Sequence, residues 1–480
     1  MLYFEFETWI ILSYILQIAT LFRVLLRENR SPASRLAWML CVMAVPWLGI
    51  ILYFLFGEVG FGRKDVERME AVLMALPKCC ATDNSSEDSM PVMFRQAFAR
   101  AGSVNTFSPT TGNRATLMEN SDHAIANMIG DIDAATDHVH LLFYIWLTDN
   151  NGMAMVEACI RAAKRGVTVR AMVDGMGSRH LIKSEHWQRM ADSGVHVGVA
   201  FDMQQTWLHL LFKRVDIRNH RKIMVVDNQI TYCGSQNCAD PEFTVKAKFA
   251  PWVDVMIRLT GPIVWQQQVI FAGDWQTHTG EDINDILRQP VEHRHGDGDV
   301  VAISMGTGPT ESHQAVPDVF QNLMASAQHE IIVSTPYYVP SEALHNRLCA
   351  AALRGVDVTL ILPQRNDSKL VGMASRSYFL ALVRCGVKLY EYKPGLLHSK
   401  LLTVDDQAVL FGSANLDRRS FDINFENCML AYDPTLAQNV NARQREYIAD
   451  SELVSLDRVE GWPVRIRLMN NLFATMGPLL

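Results

Sequence analysis

The sequence has no cysteine spacing suited to holding zinc. Its nine cysteines, at positions 41, 79, 80, 159, 233, 238, 349, 385 and 428, form no CxxC pair and no Cys/His cluster. They read as buried free thiols. Charge is also scarce: 20% of residues are charged, against 49% apolar, and soluble chains usually carry about 25% charged residues. That balance excludes a disordered polyelectrolyte and points to a part embedded in lipid. A basic excess is missing too. Lysine and arginine total 44 against 51 acids, a net charge of −7, so non-specific nucleic-acid binding is not the main task. A length of 480 residues exceeds one ordinary core and suggests about two or three domains.

The apolar excess is concentrated at the N-terminus. Leu36 to Phe56 is twenty-one residues without a charge, enough at about 1.5 Å per residue to cross a hydrocarbon core of roughly 30 Å. Pro46 and Gly49 inside it are tolerable in a membrane helix. Trp9 to Leu26 reads as a second span, with Arg23 snorkelling to the headgroups. A cleaved signal peptide fits poorly, because Glu5 and Glu7 occupy the place of a basic leader and no A-x-A site follows. The loop between the spans carries Arg27, Arg30 and Arg35, which by the positive-inside rule is cytoplasmic and puts the rest of the chain on the far side. Arg63, Lys64 and Arg68 after the second span, and the unpaired cysteines, argue the other way. The face of the body stays open.

From about residue 112 the chain repeats one α/β plan. His138–Trp146 reads as a buried strand, Met153–Lys164 as a helix ending at Arg165-Gly166, and Val167–Val173 as a second strand; Glu330–Tyr338, Ala343–Leu353, Arg354-Gly355 and Val356–Leu362 match them in turn. Glycine just past each helix is the expected C′ signal. Each copy then adds a Gly-Val strand, at Gly194 and Gly386. Strands alternating with helices predict parallel βαβ units in two sheets, with helices packed outside. The expected domains are an anchor over 1–57, a juxtamembrane helix and linker over 58–111, and two halves over 112–290 and 291–480. A linker over Ala81–Pro91 and a connector over Gln289–Val300 fall between them.

The same constellation stands at the matching place in each half. The first is His220-Arg-Lys222 with Asp227, then Gly234-Ser235-Gln-Asn237; the second is His398-Ser-Lys400 with Asp405, then Gly412-Ser413-Ala-Asn415. Both read HxKx4D followed by GSxN. In a strand residues i and i+2 share a face, so each histidine projects with its lysine. Two imidazoles, two ammonium groups, the Ser235 and Ser413 hydroxyls and the Asn237 and Asn415 amides would form a phosphate cradle with nucleophile and acid built in. The lysines supply the charge, so no metal or cofactor is required. A lone HxK pair would mean little; two complete copies in equivalent positions are specific.

These paired motifs resemble those of the phospholipase D superfamily over about residues 112–480, and with the membrane segments in front the chain is similar to the bacterial cardiolipin synthases of that type. Phe143–Trp146, Thr335–Pro340, Leu362–Ser368 and Asn415–Ser420 strengthen the likeness. The resemblance implies two pseudo-symmetric βα half-domains with the active site between them, in a multi-pass protein of the bacterial inner membrane. It implies a ping-pong transfer in which one phosphatidylglycerol donates its phosphatidyl group to another, releasing glycerol and giving cardiolipin through a phosphatidyl-histidine. Phosphatidylglycerol and other anionic phospholipids would be its partners, and nucleic acid would not. His220 is then the nucleophile and His398 the acid and base, a choice that near symmetry allows to be reversed, while Lys222 and Lys400 hold the phosphate oxygens. Asp227 and Asp405, motif members five residues after each lysine, sit at an odd offset and read as structural. Orienting carboxylates are sought in Asp254, 34 residues after His220, and Glu426, 28 residues after His398. With water as acceptor the same cradle would be a phospholipid hydrolase, and a membrane scaffold is the non-enzymatic alternative.

The halves differ by an insertion. From the Gly-Val strand to the motif the first copy takes twenty-six steps (194 to 220) and the second twelve (386 to 398). The extra stretch holds Trp207-Leu-His-Leu-Leu-Phe212 followed by Lys213 and Arg214, which suits either an anionic headgroup layer or a groove between the halves. If the cluster docks on lipid, Trp207→Ser with Phe212→Ser lowers turnover on bilayer substrate and spares a short-chain dispersed analogue. Equal loss on both, with a lower melting temperature, would mark ordinary core.

Overall fold

The computed structural model describes residues 2–27, 32–57, 63–77, 88–202, 216–288, 298–309 and 314–475. The Trp207–Phe212 cluster, Lys213 and Arg214, residues 81–87 of the expected linker and 289–297 of the expected connector lie outside the described residues.

Two compact units divide the chain, with one boundary between Glu67 and Arg68. In the N-terminal unit a single helix runs from Leu2 to Leu26, and its window Trp9–Leu26 is long and apolar enough to cross a membrane, with a mean hydropathy of 1.9. Ile11, Ile15 and Phe22 stay exposed on it, which suits lipid rather than water. The second apolar segment corrects the sequence expectation. It is a helix over Pro32–Ala44, a break at Val45, a helix over Pro46–Leu52 and a π turn over Tyr53–Gly57. Proline has no N–H to donate and its ring collides with the preceding turn, so the uncharged run cannot form one straight rod. Within the unit Gln17 Nε2 donates to the Val42 carbonyl at 3.0 Å, and the Arg23 guanidinium lies 5.6 Å from the Phe54 ring centre.

The larger unit is built on one mixed sheet, not two. Its strands in the first half are β1 (Thr110–Leu117), β2 (His138–Phe143), β3 (Thr168–Asp174), β4 (His196–Ala200), β5 (Lys222–Val226), β6 (Ile230–Gly234), the short β7 (Trp252–Val253) and β8 (Met256–Thr260). The second half supplies β9 (Val300–Thr307), β10 (Glu330–Ser334), the short β11 (Tyr338–Val339), β12 (Asp357–Pro363), β13 (Lys388–Tyr392), the short β14 (Leu396–Leu397), β15 (Leu401–Val404), β16 (Ala408–Gly412), the short β17 (Leu416–Asp417), β18 (Glu426–Tyr432) and β19 (Ser451–Leu453). The order β19-β13-β12-β10-β15-β16-β18-β9-β1-β8-β6-β5-β2-β3-β4 is the same sequence of equivalent strands read outward from the β9–β1 pair, with β19 added at one edge. Within this sheet the pairs in β2-β3-β4 and β10-β12-β13 are parallel and the others antiparallel, while the short strands pair in parallel outside it, β7 with β14 and β11 with β17. Short turns such as Asp227–Gln229 and Asp405–Gln407 join the inner strands, and a hairpin can only be antiparallel.

The two halves fuse because β1 and β9 pair. A bulge between Thr110 and Asn113 breaks their register. Asn113, fully buried, fills the gap by donating to the Thr110 and Val300 carbonyls and accepting the Ile263 N–H. The helix Ile263–Thr279 follows β8 and is buried on nearly every side, and Pro434–Ala449 follows β18 in the equivalent place. Gln266 and Gln267 of the first helix bond to Ser304 of β9 across the join. The helix Val92–Asn105, within the stretch 58–111 expected as juxtamembrane helix and linker, buries Phe94 and Phe98 in the body and ties Arg100 to Asp318 at 3.0 Å. Past the helices of each half, Gly166 and Gly355 take φ of +92° and +96°, as their C′ positions require.

Arg221, between His220 and Lys222, turns to the opposite side of its strand. It donates to Asp274 at 2.7 Å and to the Glu426 and Thr307 carbonyls at 3.0 Å, fully buried and bridging both halves. Arg221→Met leaves the Asp274 carboxylate buried without its counter-charge, and such losses cost about 3–5 kcal/mol. A large fall in melting temperature is expected, part of it recovered when Asp274→Leu is added. An unchanged melting temperature in the single variant would show that the pair does not hold the halves.

Candidate active site

Each histidine reaches the join on a short extended segment that pairs with the other half. Asn219 bridges Phe425, with the His220 N–H donating to the Phe425 carbonyl at 2.8 Å. In mirror fashion β14 pairs with β7, and the His398 N–H donates to the Val253 carbonyl at 2.8 Å. The segment leading to each histidine therefore lies beside the other half's acidic residue.

The carboxylate partners are crossed as a result. His220 Nδ1 donates to Glu426 Oε2 at 2.8 Å, and His398 Nδ1 donates to Asp254 Oδ1 at 2.6 Å. Counting along the chain had paired each acid with the histidine of its own half; the structure exchanges them. Since an ionised carboxylate only accepts, the proton sits on Nδ1 and Nε2 of each ring keeps its lone pair. Each lysine folds back on its own histidine, Lys222 Nζ donating to the His220 carbonyl at 2.6 Å and Lys400 Nζ to the His398 carbonyl at 2.5 Å.

The serines act differently from expectation. Ser235 Oγ donates to Asp254 at 2.6 Å and accepts the Val255 N–H; Ser413 Oγ donates to Glu426 and accepts the Asn427 N–H. Their hydroxyls hold the carboxylates in place rather than lining the cradle. The preceding glycines make this possible. A Cβ on Gly234 would come within 2.2 Å of the Val255 carbonyl oxygen, and one on Gly412 within 2.3 Å of that of Asn427. Asn237 accepts the Ile145 N–H through its side chain, whereas among the described residues Asn415 Oδ1 is buried with no hydrogen-bond partner. Asp227 and Asp405 sit at the far ends of β5 and β15. Asp227 accepts the N–H groups of Thr136, Asp137 and His138, and Asp405 those of Gln328, His329 and Glu330. They anchor the starts of β2 and β10 and do not reach the site.

Two rings complete the walls. Tyr144 stands edge-on to His220 at 4.9 Å between centres with Lys222 Nζ 5.5 Å from its own, and Trp252 lies 4.7 Å from His398. Neither was singled out from the sequence. The available signal was that Trp252 precedes Asp254 by two and so shares its side of an extended segment.

Burial governs the charges. It lowers the His220 imidazole to about 4 against the pull of Glu426, and lowers His398 against that of Asp254. It lowers Lys222 to about 7 and Lys400 to about 8, although both carboxylates favour the ammonium form. Burial alone would raise Glu426, but His220, Lys222 and Ser413 hold it down to about 2. The cradle thus presents ionised carboxylates, neutral imidazoles and lysines close to losing their protons. That is a site poised for an anion.

The chain is similar to known proteins over nearly its whole length. The family described as "Cardiolipin synthase, PLD-like domain" matches twice, at residues 128–254 and 320–447, and "Phospholipase D-nuclease N-terminal" matches residues 15–58. Cardiolipin synthase A of Escherichia fergusonii is 35% identical over 494 residues, covering 100% of this chain and 99% of the relative. That of Pectobacterium atrosepticum is 33% identical over 489 residues, covering 98% of each. In fold, the chain is similar to the crystal structure of phosphatidylserine synthase from Haemophilus influenzae. That likeness has a TM-score of 0.57 at 16% identity and covers 80% of this chain and 97% of the other.

The lysines predict a pH response. An ammonium is present below its pKa, so raising pH through Lys222 and then Lys400 removes the charge that holds an anion. Sulfate, a dianion throughout, should bind more weakly by roughly tenfold per pH unit between about 7 and 8, and more steeply above, where both lysines lose their protons. Calorimetric titration between pH 6 and 9 measures this, and a flat response would mean the lysines do not carry the binding.

Proposed function

This chain belongs to the cardiolipin synthase family of phospholipase D-like proteins, and we propose that it joins two phosphatidylglycerol molecules through a phosphatidyl-histidine. It is a phosphatidyltransferase acting on phospholipids, and its N-terminal apolar helix associates it with a membrane. The observation that carries the reading is the crossed pair His220–Glu426 and His398–Asp254. It presents two Nε2 atoms to one cradle.

In the first step His220 Nε2 attacks phosphorus as the P–O bond to glycerol breaks, and His398 gives the departing oxygen a proton. Lys222 and Lys400 hold the non-bridging oxygens as charge develops. Burial lowers His398, and both lysines add to that; a bound phosphodiester offsets their charge, so the imidazole takes up the proton it must donate. In the second step His398 removes the proton of the acceptor's terminal hydroxyl. That oxygen attacks phosphorus, the P–N bond breaks, and His220 is restored as cardiolipin leaves. For the protein to be multi-pass in the bacterial inner membrane, the broken segment Pro32–Gly57 crosses along with Trp9–Leu26.

Pure protein incubated with phosphatidylglycerol alone should give cardiolipin and glycerol in equal amounts, with activity kept in EDTA. Phosphatidate alone would mean a hydrolase, and no change a scaffold or another donor. His220→Ala should lose at least about 100-fold of the activity and trap no labelled lipid, while His398→Ala still traps some. Label on the His220 variant and none on the other would reverse the two roles.

A further inference from the structure

The two halves differ just in front of their motifs. Arg218 precedes His220 by two residues, and the equivalent position before His398 is Leu396, fully buried. On the extended segment Arg218, His220 and Lys222 follow at two-residue steps, and Arg221 between the last two faces the opposite way towards Asp274. Arg218 thus continues the catalytic row outward by about 6–7 Å, two residues of strand.

The Arg218 guanidinium is held by the Ile217 carbonyl at 2.6 Å and the Met176 thioether at 3.2 Å, with the Asp174 carboxylate at 4.0 Å. Asp174 is occupied by the N–H groups of Met176, Gly177 and Asn219, which fix this corner of the site. From the other half comes Arg419, whose carbonyl accepts the N–H groups of Ile423 and Asn424; the Asn424 side chain in turn bonds Glu426. Tyr144, edge-on to His220, feels the charge of both cations. Burial and Asp174 push its phenol up, and Arg218 and Arg419 both act against them.

We propose that Arg218, two residues before His220, and Arg419, from the other half, bind the phosphate of the second phospholipid and so select an anionic glycerol acceptor. This rests on the reading of the chain as a cardiolipin synthase. The reacting hydroxyl of phosphatidylglycerol is joined to its own phosphate by a three-carbon bridge. When that hydroxyl reaches the phosphorus in the cradle, its phosphate must lie about one bridge away, which is the spacing from His220 to Arg218. Free glycerol has no phosphate and would gain nothing from the two arginines.

The test compares two reactions of the full-length enzyme on phosphatidylglycerol: cardiolipin formation, and exchange of labelled free glycerol into phosphatidylglycerol. Both use the same donor and the same covalent step. In Arg218→Met and Arg419→Met the ratio of cardiolipin to exchange should fall roughly ten- to a hundredfold, the worth of a charge-assisted hydrogen bond. Arg218→Lys, which keeps the charge, should recover part of it. An unchanged ratio, or parallel loss of both reactions, would overturn the acceptor site. A wild-type enzyme that exchanges glycerol but makes no cardiolipin would instead bring down the synthase reading.

Discussion

The structure depends on a buried charge balance that neither half can supply alone. His220, Lys222, His398, Lys400 and Glu426 are all buried, and the Asp254 side chain nearly so. Burying an ammonium beside an imidazole is costly unless a carboxylate faces it. Each half brings its own histidine and lysine and borrows the carboxylate from the other. Forming the site and joining the halves are therefore one event. The β1–β9 pair, the glutamines of the Ile263–Thr279 helix and the Arg221–Asp274 pair reinforce that join on the reverse side.

Duplication gives the cradle near symmetry, and the departures from it mark division of labour. The N–H groups of Asp227 and Asp405 bond to the carbonyls of His138 and Glu330, which equates Tyr144 with Pro336. One histidine therefore has a phenol at its edge and its counterpart position holds a ring with no donor. Likewise Trp252 covers His398 where Asn424 supports Glu426. Arg218 against Leu396 is the third difference. A reaction whose two substrates play unlike parts needs such asymmetry, because identical walls could not tell donor from acceptor.

The sequence by itself determined the repeat, the HxK faces and the odd offset of Asp227 and Asp405 from those faces, because strand alternation is local and survives any packing. It also marked both N-terminal apolar segments, although Pro46 breaks the one whose uncharged run looked more complete. Glycine at 234 and 412 admits a close approach of backbone, and only the fold shows that the Val255 and Asn427 carbonyls make it.

Tertiary structure alone decided which carboxylate serves which histidine, that the serines hold those carboxylates, and that the strands form one mixed sheet. Those facts depend on contacts between residues up to 206 positions apart, as in His220–Glu426. Equal motifs in equal halves leave cis and crossed pairing indistinguishable along the chain. The backbone bridges Asn219–Phe425 and β14–β7 break the tie, because they bring each histidine beside the other half's acid before any side chain is placed.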